Sequence, residues 1–248
     1  MPVQEIRPDE ARLAATGGSE KRAYVRRIFS EIAPRYDLLN RVLSLNVDRM
    51  WRRRAVRALA WERAPDGVYI DLCAGTLDVG SELARRPGFA GLVIGADFAE
   101  PMLRAGAGKV PRSVLAPVVA DALALPIADG RAAGAIVAFG VRNLADLDAG
   151  LREARRALEP GARLVILEFS TPRAPLVRSL YHLYFRRILP FIGRIVSGHR
   201  TAYRYLPESV ANFPDQAQLA RRMERAGFRN VRWRALTFGI AALHWGER

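Results

Sequence analysis

Residues 68–78 read Val-Tyr-Ile-Asp-Leu-Cys-Ala-Gly-Thr-Leu-Asp. A short apolar run ends in Asp71, small residues follow, and a helical pattern starts near Asp78. This order predicts a strand, a tight turn and a helix, with a carboxylate at the strand's tip and a turn slim enough for a ligand to approach its backbone. In α/β folds the carboxyl end of the first strand is where nucleotide-like cofactors sit. The single Gly75 is less glycine than such a turn ordinarily carries, so the rest of the chain has to support the assignment.

Downstream of this stretch, strands and helices alternate at βαβ spacing up to residue 168. Leu92–Asp97 predicts a second strand ending in a carboxylate, and Pro101–Ala107 a short helix. Pro117–Ala120 runs into Asp121, and Ala133–Phe139 reads as a buried strand before Gly140-Val141-Arg142-Asn143. Asp146–Leu158 predicts a helix stopped at Pro160-Gly161, and Arg163–Glu168 the next strand. Residues 170–215 break the alternation with an apolar stripe, Leu176, Val177, Leu180, Tyr181, Leu183, Tyr184, Ile188 and Leu189, interleaved with arginines. Gln216–Ala226 is a predicted helix, with strands at Asn230–Leu236 and Gly239–His244.

Upstream, residues 1–19 read as a mobile leader, and Val25, Ile28, Phe29 and Ile32 recur at helical spacing. Ala33-Pro34 interrupts that helix. The expectation is a leader (1–19) and one doubly wound α/β domain (20–248). Within the domain the parts are a helical cap (20–60), a cofactor core (61–169), a substrate-side helical insertion (170–215) and a closing helix with strands (216–248). The cap has two readings: a helical layer with a solvated face, or a lid that brings Tyr36 and Asp37 over an active site.

With 248 residues, half of them hydrophobic, the chain can bury one sizeable core. One cysteine rules out an internal disulfide framework and a multi-cysteine zinc site, and three scattered histidines do not suggest a metal cluster. No apolar run approaches the roughly 20 residues of a membrane span, and the first residues lack a secretory layout. A soluble, cytoplasmic protein is expected. The net charge of +14 lies on the flanks: residues 61–170 hold 12 basic against 14 acidic groups, and residues 171–248 hold 14 against 4. Only Lys21 and Lys109 are lysines; the other basic residues are arginines. Such a flank suits a membrane surface and does not require nucleic acid.

The acidic residues select the cofactor. Asp97 stands 22 residues after Gly75, where a carboxylate can accept from both hydroxyls of a ribose. Dinucleotide enzymes and S-adenosylmethionine-binding proteins share that arrangement. A dinucleotide needs a G-x-G-x-x-G turn for its pyrophosphate, whereas Cys73-Ala74-Gly75-Thr76-Leu77-Asp78 lacks the glycines and puts an acid at the helix start. S-adenosylmethionine has no phosphate and carries an ammonium and a sulfonium, which Asp71 and Asp78 suit. Asp121-Ala122 stands where an adenine edge would be read. Any one aspartate could be a mere strand-end or cap residue; four in this order favour the methyl donor.

The blocks Ile32-Ala33-Pro34-Arg35-Tyr36-Asp37-Leu38-Leu39-Asn40, Phe139-Gly140-Val141-Arg142-Asn143-Leu144, Leu167-Glu168-Phe169-Ser170, Tyr203-Arg204-Tyr205-Leu206-Pro207-Glu208-Ser209 and Leu236-Thr237-Phe238-Gly239-Ile240 closely resemble the ubiquinone/menaquinone biosynthesis C-methyltransferases. The resemblance runs from about Arg27 to Gly246. It implies a Rossmann-like class I methyltransferase fold and methyl transfer from S-adenosylmethionine to a ring carbon of a prenylated hydroquinone. By position it implies cofactor contacts at Thr76, Asp97, Asp121, Ala122 and Ala138, beside Asp71 and Gly75 of the turn. It also implies substrate-ring roles for Arg142 and Tyr36. A lipophilic quinol is the implied partner, with no nucleic acid and no metal. A peripheral place at the inner face of the cytoplasmic membrane and a homodimer stay open. The general base is open among Asp37, His182, His199 and water. The rival classes are a nucleic-acid methyltransferase, whose Asn-Pro-Pro-Tyr-type block is absent here, a weakened non-catalytic scaffold, and last an NAD oxidoreductase. The turn departs from the family's pattern at Cys73 and Leu77, both glycine positions; leucine rarely accepts a positive φ.

Overall fold

In the computed structural model, which describes residues 19–44, 46–184 and 202–248, the βαβ pattern builds one seven-stranded sheet of order β3-β2-β1-β4-β5-β7-β6. The strands are β1 (Val68–Leu72), β2 (Leu92–Asp97), β3 (Leu115–Val119), β4 (Ala132–Ala138), β5 (Leu158–Phe169), β6 (Arg229–Leu236) and β7 (Ala241–Glu247). Strands β1 to β5 pair in parallel, and β7 inserts antiparallel between β5 and β6. The strand order reverses between β1 and β4, the position where open α/β sheets bind ligands. The doubly wound, Rossmann-like class expected from the sequence is the fold observed.

Alternation along the strands sorts the core onto two faces. Tyr69, Ile136, Val165 and Leu167 face one side, with α3 (Val47–Ala58) and α4 (Asp78–Ala84). Ile70, Leu72, Ala135, Val137, Leu164 and Ile166 face the other, with α6 (Leu147–Ala157) and α9 (Gln216–Arg225). Asp146 caps α6 through Ala149 N–H, and Asp215 closes a capping box with Gln218 at α9. The remaining helices are α1 (Ser19–Ile32), α2 (Tyr36–Ser44), α5 (Glu100–Gly106), α7 (Pro175–Leu183) and α8 (Ala202–Ala211).

One boundary is corrected. The last strand runs from Ala241 to Glu247 rather than over 239–244, because a 3-10 turn at Thr237–Gly239, with Phe238 at φ 56°, delays its entry. In the cap, Trp51, Ala55, Val56 and Leu59 of α3 are buried in the main core while Arg53 and Arg54 are exposed, and Trp51 Nε1 donates to Thr237 Oγ1 at 2.9 Å. Residues 1–18 of the leader, together with Leu45, Ile188, Leu189 and His199, lie outside the described residues, as do the side chains of Leu39, Val42, Leu43 and His182.

Candidate active site

Two clefts open at the carboxyl ends of β1 and β4. The first is lined by Gly75, Asp97, Asp121, Ala122 and Ala138, with Phe98 and Met102 beside them. Five of the seven cofactor positions expected from the sequence therefore share one cleft. Asp97 is held by its own turn: one carboxylate oxygen accepts from Gly75 N–H and the other from Ala99 N–H, both at 2.8 Å. Burial raises its pKa while these amides oppose the rise. Each oxygen keeps a lone pair for a further hydroxyl. Gly75, at φ +52°, turns a bare Cα toward the cleft; a Cβ there would stand 3.3 Å from Met102 Cε. The Asp121 carboxylate accepts from Leu123 N–H and pairs with Arg22 of α1 at 2.9 Å, so α1 lies across the rim.

The other two positions stand behind the turn. Asp71 shares the strand face of Tyr69, beneath α4, and its carboxylate accepts from Gly80 N–H at 2.8 Å. It serves as the cap that Leu77, the residue preceding α4, cannot provide. Burial pushes Asp71 up to about 7. Thr76 is buried and its hydroxyl donates to Asp37 at 2.5 Å. Asp78 is also engaged: burial, the largest single effect, would raise its pKa, but Arg52 and Lys109 together outweigh it and hold the carboxyl below the usual range. Lys109 Nζ further binds Asp37 at 2.7 Å, and Arg52 binds Asp48 at 3.1 Å. The acid at the start of α4 thus serves a chain of ion pairs between cap and turn, and is not an open partner for the cofactor's cations. Asp37, one candidate base, has both oxygens taken.

Three non-glycine residues at this centre adopt positive φ: Cys73 at 52°, Leu77 at 64° and Phe139 at 59°. Each costs about 1–2 kcal/mol. The two strand ends are also pressed together, since a Cβ on Gly140 would run into Cys73 Cβ.

The second cleft is a cavity of about 580 Å³ with aromatic walls that include Trp51, Phe169, Tyr181 and Tyr205. Phe29, Tyr36 and Phe139 line both clefts, which meet there. Burial raises the Tyr36 pKa, while Asn40 and the nearby Arg52 and Arg142 cations work against it. Arg142, only 8% exposed, lies in the second cavity's lining. Its Nη1 donates to Glu168 Oε1 at 2.7 Å and to the Phe139 carbonyl, and its guanidinium sits 5.5 Å from the Phe169 ring centre. Glu168, Lys109 and Arg22 were not singled out as site residues from the sequence. The rarity of lysine marked Lys109, and a carboxylate ending the β5 stretch marked Glu168; nothing local marked Arg22.

A mixed sheet of this order, with a carboxylate-ended second strand beside its switch point, is the architecture of the class I methyltransferases. A methyl donor fits the residues present: Asp97 retains acceptor capacity beside the bare Gly75 turn, and the start of α4 carries a carboxylate where a dinucleotide would need a free anion site. The chain belongs to the ubiE/COQ5 methyltransferase family, which it matches over residues 16–248. It is similar to a demethylmenaquinone methyltransferase of Thermus thermophilus, 50% identical over 224 residues that cover 89% of this chain and all of the relative. It is also 44% identical to a ubiquinone/menaquinone biosynthesis C-methyltransferase UbiE of Geobacter sulfurreducens, covering 93% of this chain and 90% of the relative. A solved SAM-dependent methyltransferase from Thermotoga maritima shares the fold at TM-score 0.63 and 16% identity, over 89% of this chain and 98% of that one. The protein is a methyltransferase that uses S-adenosylmethionine.

Proposed function

We propose that the protein methylates a ring carbon of a prenylated hydroquinone, in the last steps of making a respiratory quinone. The observation that carries this reading is the pair of joined clefts: a cofactor cleft, and an aromatic cavity with Arg142 in its wall. The name of the Thermus relative favours a naphthoquinol ring. A cavity of about 580 Å³ falls in the range of small-molecule pockets and suits the ring with the first part of its tail.

When bound, S-adenosylmethionine supplies an activated methyl group. Gly75, Asp97, Asp121, Ala122 and Ala138 would hold it, with Asp71 and Thr76 supporting the turn from behind. The chain's own work is alignment and exclusion of water, for which the shared wall of Phe29, Tyr36 and Phe139 is suited. A hydroquinone becomes a strong carbon nucleophile when one hydroxyl ionises. Arg142, always protonated, cannot be the base but can hold the resulting phenolate. Tyr36 orients the ring where the clefts meet. Asp37 is held by Thr76 and Lys109, which leaves water, His182 and His199 of the candidate bases.

At the rim of the cavity Leu180 and Phe238 are 59% and 82% exposed, and Leu176 and Leu183 continue the apolar stripe along α7. This rim, beside exposed Arg173 and Arg178, supports access to the substrate from a bilayer face. Among the described residues no helix is long and apolar enough to cross a membrane.

Incubation with radiolabelled S-adenosylmethionine and demethylated naphthoquinol or benzoquinol under reducing conditions tests the reading. Label should enter a quinol, and RNA should stay unlabelled. Arg142→Ala should retain cofactor binding and lose about 100-fold or more in kcat. Label entering RNA, or neither quinol, overturns the assignment.

A further inference from the structure

Glu168 is 1% exposed, so it cannot touch a ligand in the cavity. Yet it is the acid bound to the one residue proposed to meet the reacting oxygen. Its Oε1 accepts from Arg142 Nη1 at 2.7 Å and from Phe169 N–H at 2.8 Å, and its Oε2 faces the Arg142 backbone N–H at 3.4 Å. The β4–β5 register builds this contact by setting Ala138 beside Leu167, so that the turn after β4 starts next to Glu168. Arg142 acts on Lys21 of α1, Tyr36 of α2, Tyr181 of α7, Tyr205 of α8 and Glu168 of β5. Of these only Glu168 is a carboxyl group; burial raises its pKa, and the Arg142 guanidinium beside it opposes the rise.

We propose that Glu168 is a positioning residue that acts through Arg142, fixing the aim of the guanidinium and cancelling much of its charge, so that the cavity offers the ring a directed hydrogen-bond donor in place of a bare cation. This rests on the reading that the ring lies against Arg142. Its value is in the balance of two demands. A bare cation in an apolar cavity would hold a phenolate so strongly that the ring carbon loses nucleophilicity, and it would repel nothing that is anionic. A guanidinium without its anchor would lose the geometry on which hydrogen-bond stabilisation depends. The neutral pair admits an uncharged quinol and releases an uncharged methylated product.

Glu168→Gln keeps an oxygen for Nη1 and removes the charge. The probe is 4-nitrophenol, whose ionised fraction is read by absorbance while it is bound to the cofactor-free protein. In Glu168→Gln the bound probe should ionise about one pH unit lower than in the wild type, because the Arg142 charge is then uncompensated. In turnover, kcat on the demethylated quinol should fall about tenfold while the quinol KM changes less than twofold. If Glu168→Gln does not fold, the comparison of Arg142→Gln with Arg142→Gln/Glu168→Gln decides: the two should have the same kcat and the same bound-probe ionisation. An unchanged or higher ionisation pH in folded Glu168→Gln, or a further loss of activity in the double variant, overturns the proposal. The probe titration needs no methyl transfer, so a wild type inactive on quinols would refute the functional assignment and still leave the coupling of Glu168 to Arg142 measurable.

Discussion

Leu77 is held by two opposing effects. At φ 64° it occupies a conformation costing about 1–2 kcal/mol for a residue with a Cβ, and its side chain is 2% exposed, packed over the bare Cα of Gly95. Leu77→Gly would release the strain, lose about 2–5 kcal/mol of packing and add about 0.5–1 kcal/mol of chain entropy. Packing wins, so urea unfolding should show a loss of about 1–4 kcal/mol; an equal or greater stability would mean that strain dominates. His244 offers a pH signature. It is buried, with Nε2 against the Gln216 carbonyl at 2.9 Å, and burial lowers its pKa to about 4. An unfolded imidazole takes its proton near pH 6.5, so between those values the unfolded chain binds more protons. Stability falls as pH drops through this window, and His244→Gln should flatten that part of a stability-versus-pH curve. Asp71, pushed up to about 7, acts with the opposite sign, favouring the fold as pH drops from about 7 toward the ordinary carboxylate range. The turn was legible as a ligand site, but the duty of each aspartate was not. Asp71 and Asp97 look alike as strand-end acids; only the β1–β2 register, which sets Asp71 beside Gly95 and leaves Asp97 two residues further toward the strand ends, puts one beneath a helix and the other in the cleft.

Helix α2 starts at Tyr36 and Asp37: Tyr36 lines both clefts, and Asp37 ties the cap to the turn through Thr76 and Lys109. The chain Thr76–Asp37–Lys109–Asp78–Arg52–Asp48 links α2, α3, the turn before α4 and the segment after α5. Lysine suits the junction, since a compact ammonium can donate to two carboxylates at once where a planar guanidinium needs a flatter approach. Lys109→Met removes the cation between Asp37 and Asp78 and leaves Asp78 with Arg52 alone. These groups are partly solvated, so the expected cost is about 1–3 kcal/mol, below that of breaking a fully buried pair. Calorimetry should show weaker S-adenosylmethionine binding as well, because the turn loses its tie to the cap; unchanged affinity would make the network purely a matter of stability. Helix and strand positions were readable from their periods. The pairing of Arg142 with Glu168, 26 residues apart, needed the β4–β5 register, which no local pattern encodes.

At the scale of the whole molecule the basic excess has two settings. Arg229, Arg232 and Arg234 are exposed along β6, the last strand of the sheet, where charge discourages pairing with another copy. Arg173 and Arg178 flank the apolar rim of the aromatic cavity. If that rim meets a bilayer, the protein should sediment with vesicles containing phosphatidylglycerol at low salt, less so at high salt, and weakly with neutral vesicles. Replacing Leu180 and Phe238 with serine should weaken the interaction in all of them. Binding that ignores both salt and these substitutions would place contact elsewhere. Composition alone located the charge on the flanks, because residues 61–170 are nearly neutral; the shape of the rim depended on how α7 and the Thr237–Gly239 turn come together.

The antiparallel β7 has a bearing on how the chain is made. It is later in sequence than both strands it joins, so during synthesis β5 and β6 exist before the strand that lies between them. Until residues 241–247 arrive, the inner edge of β5 offers unpaired amides and carbonyls to whatever is near. Ribosome-bound chains ending before Ala241 should be protease-sensitive and chaperone-dependent, and this methyltransferase should become resistant in one late step.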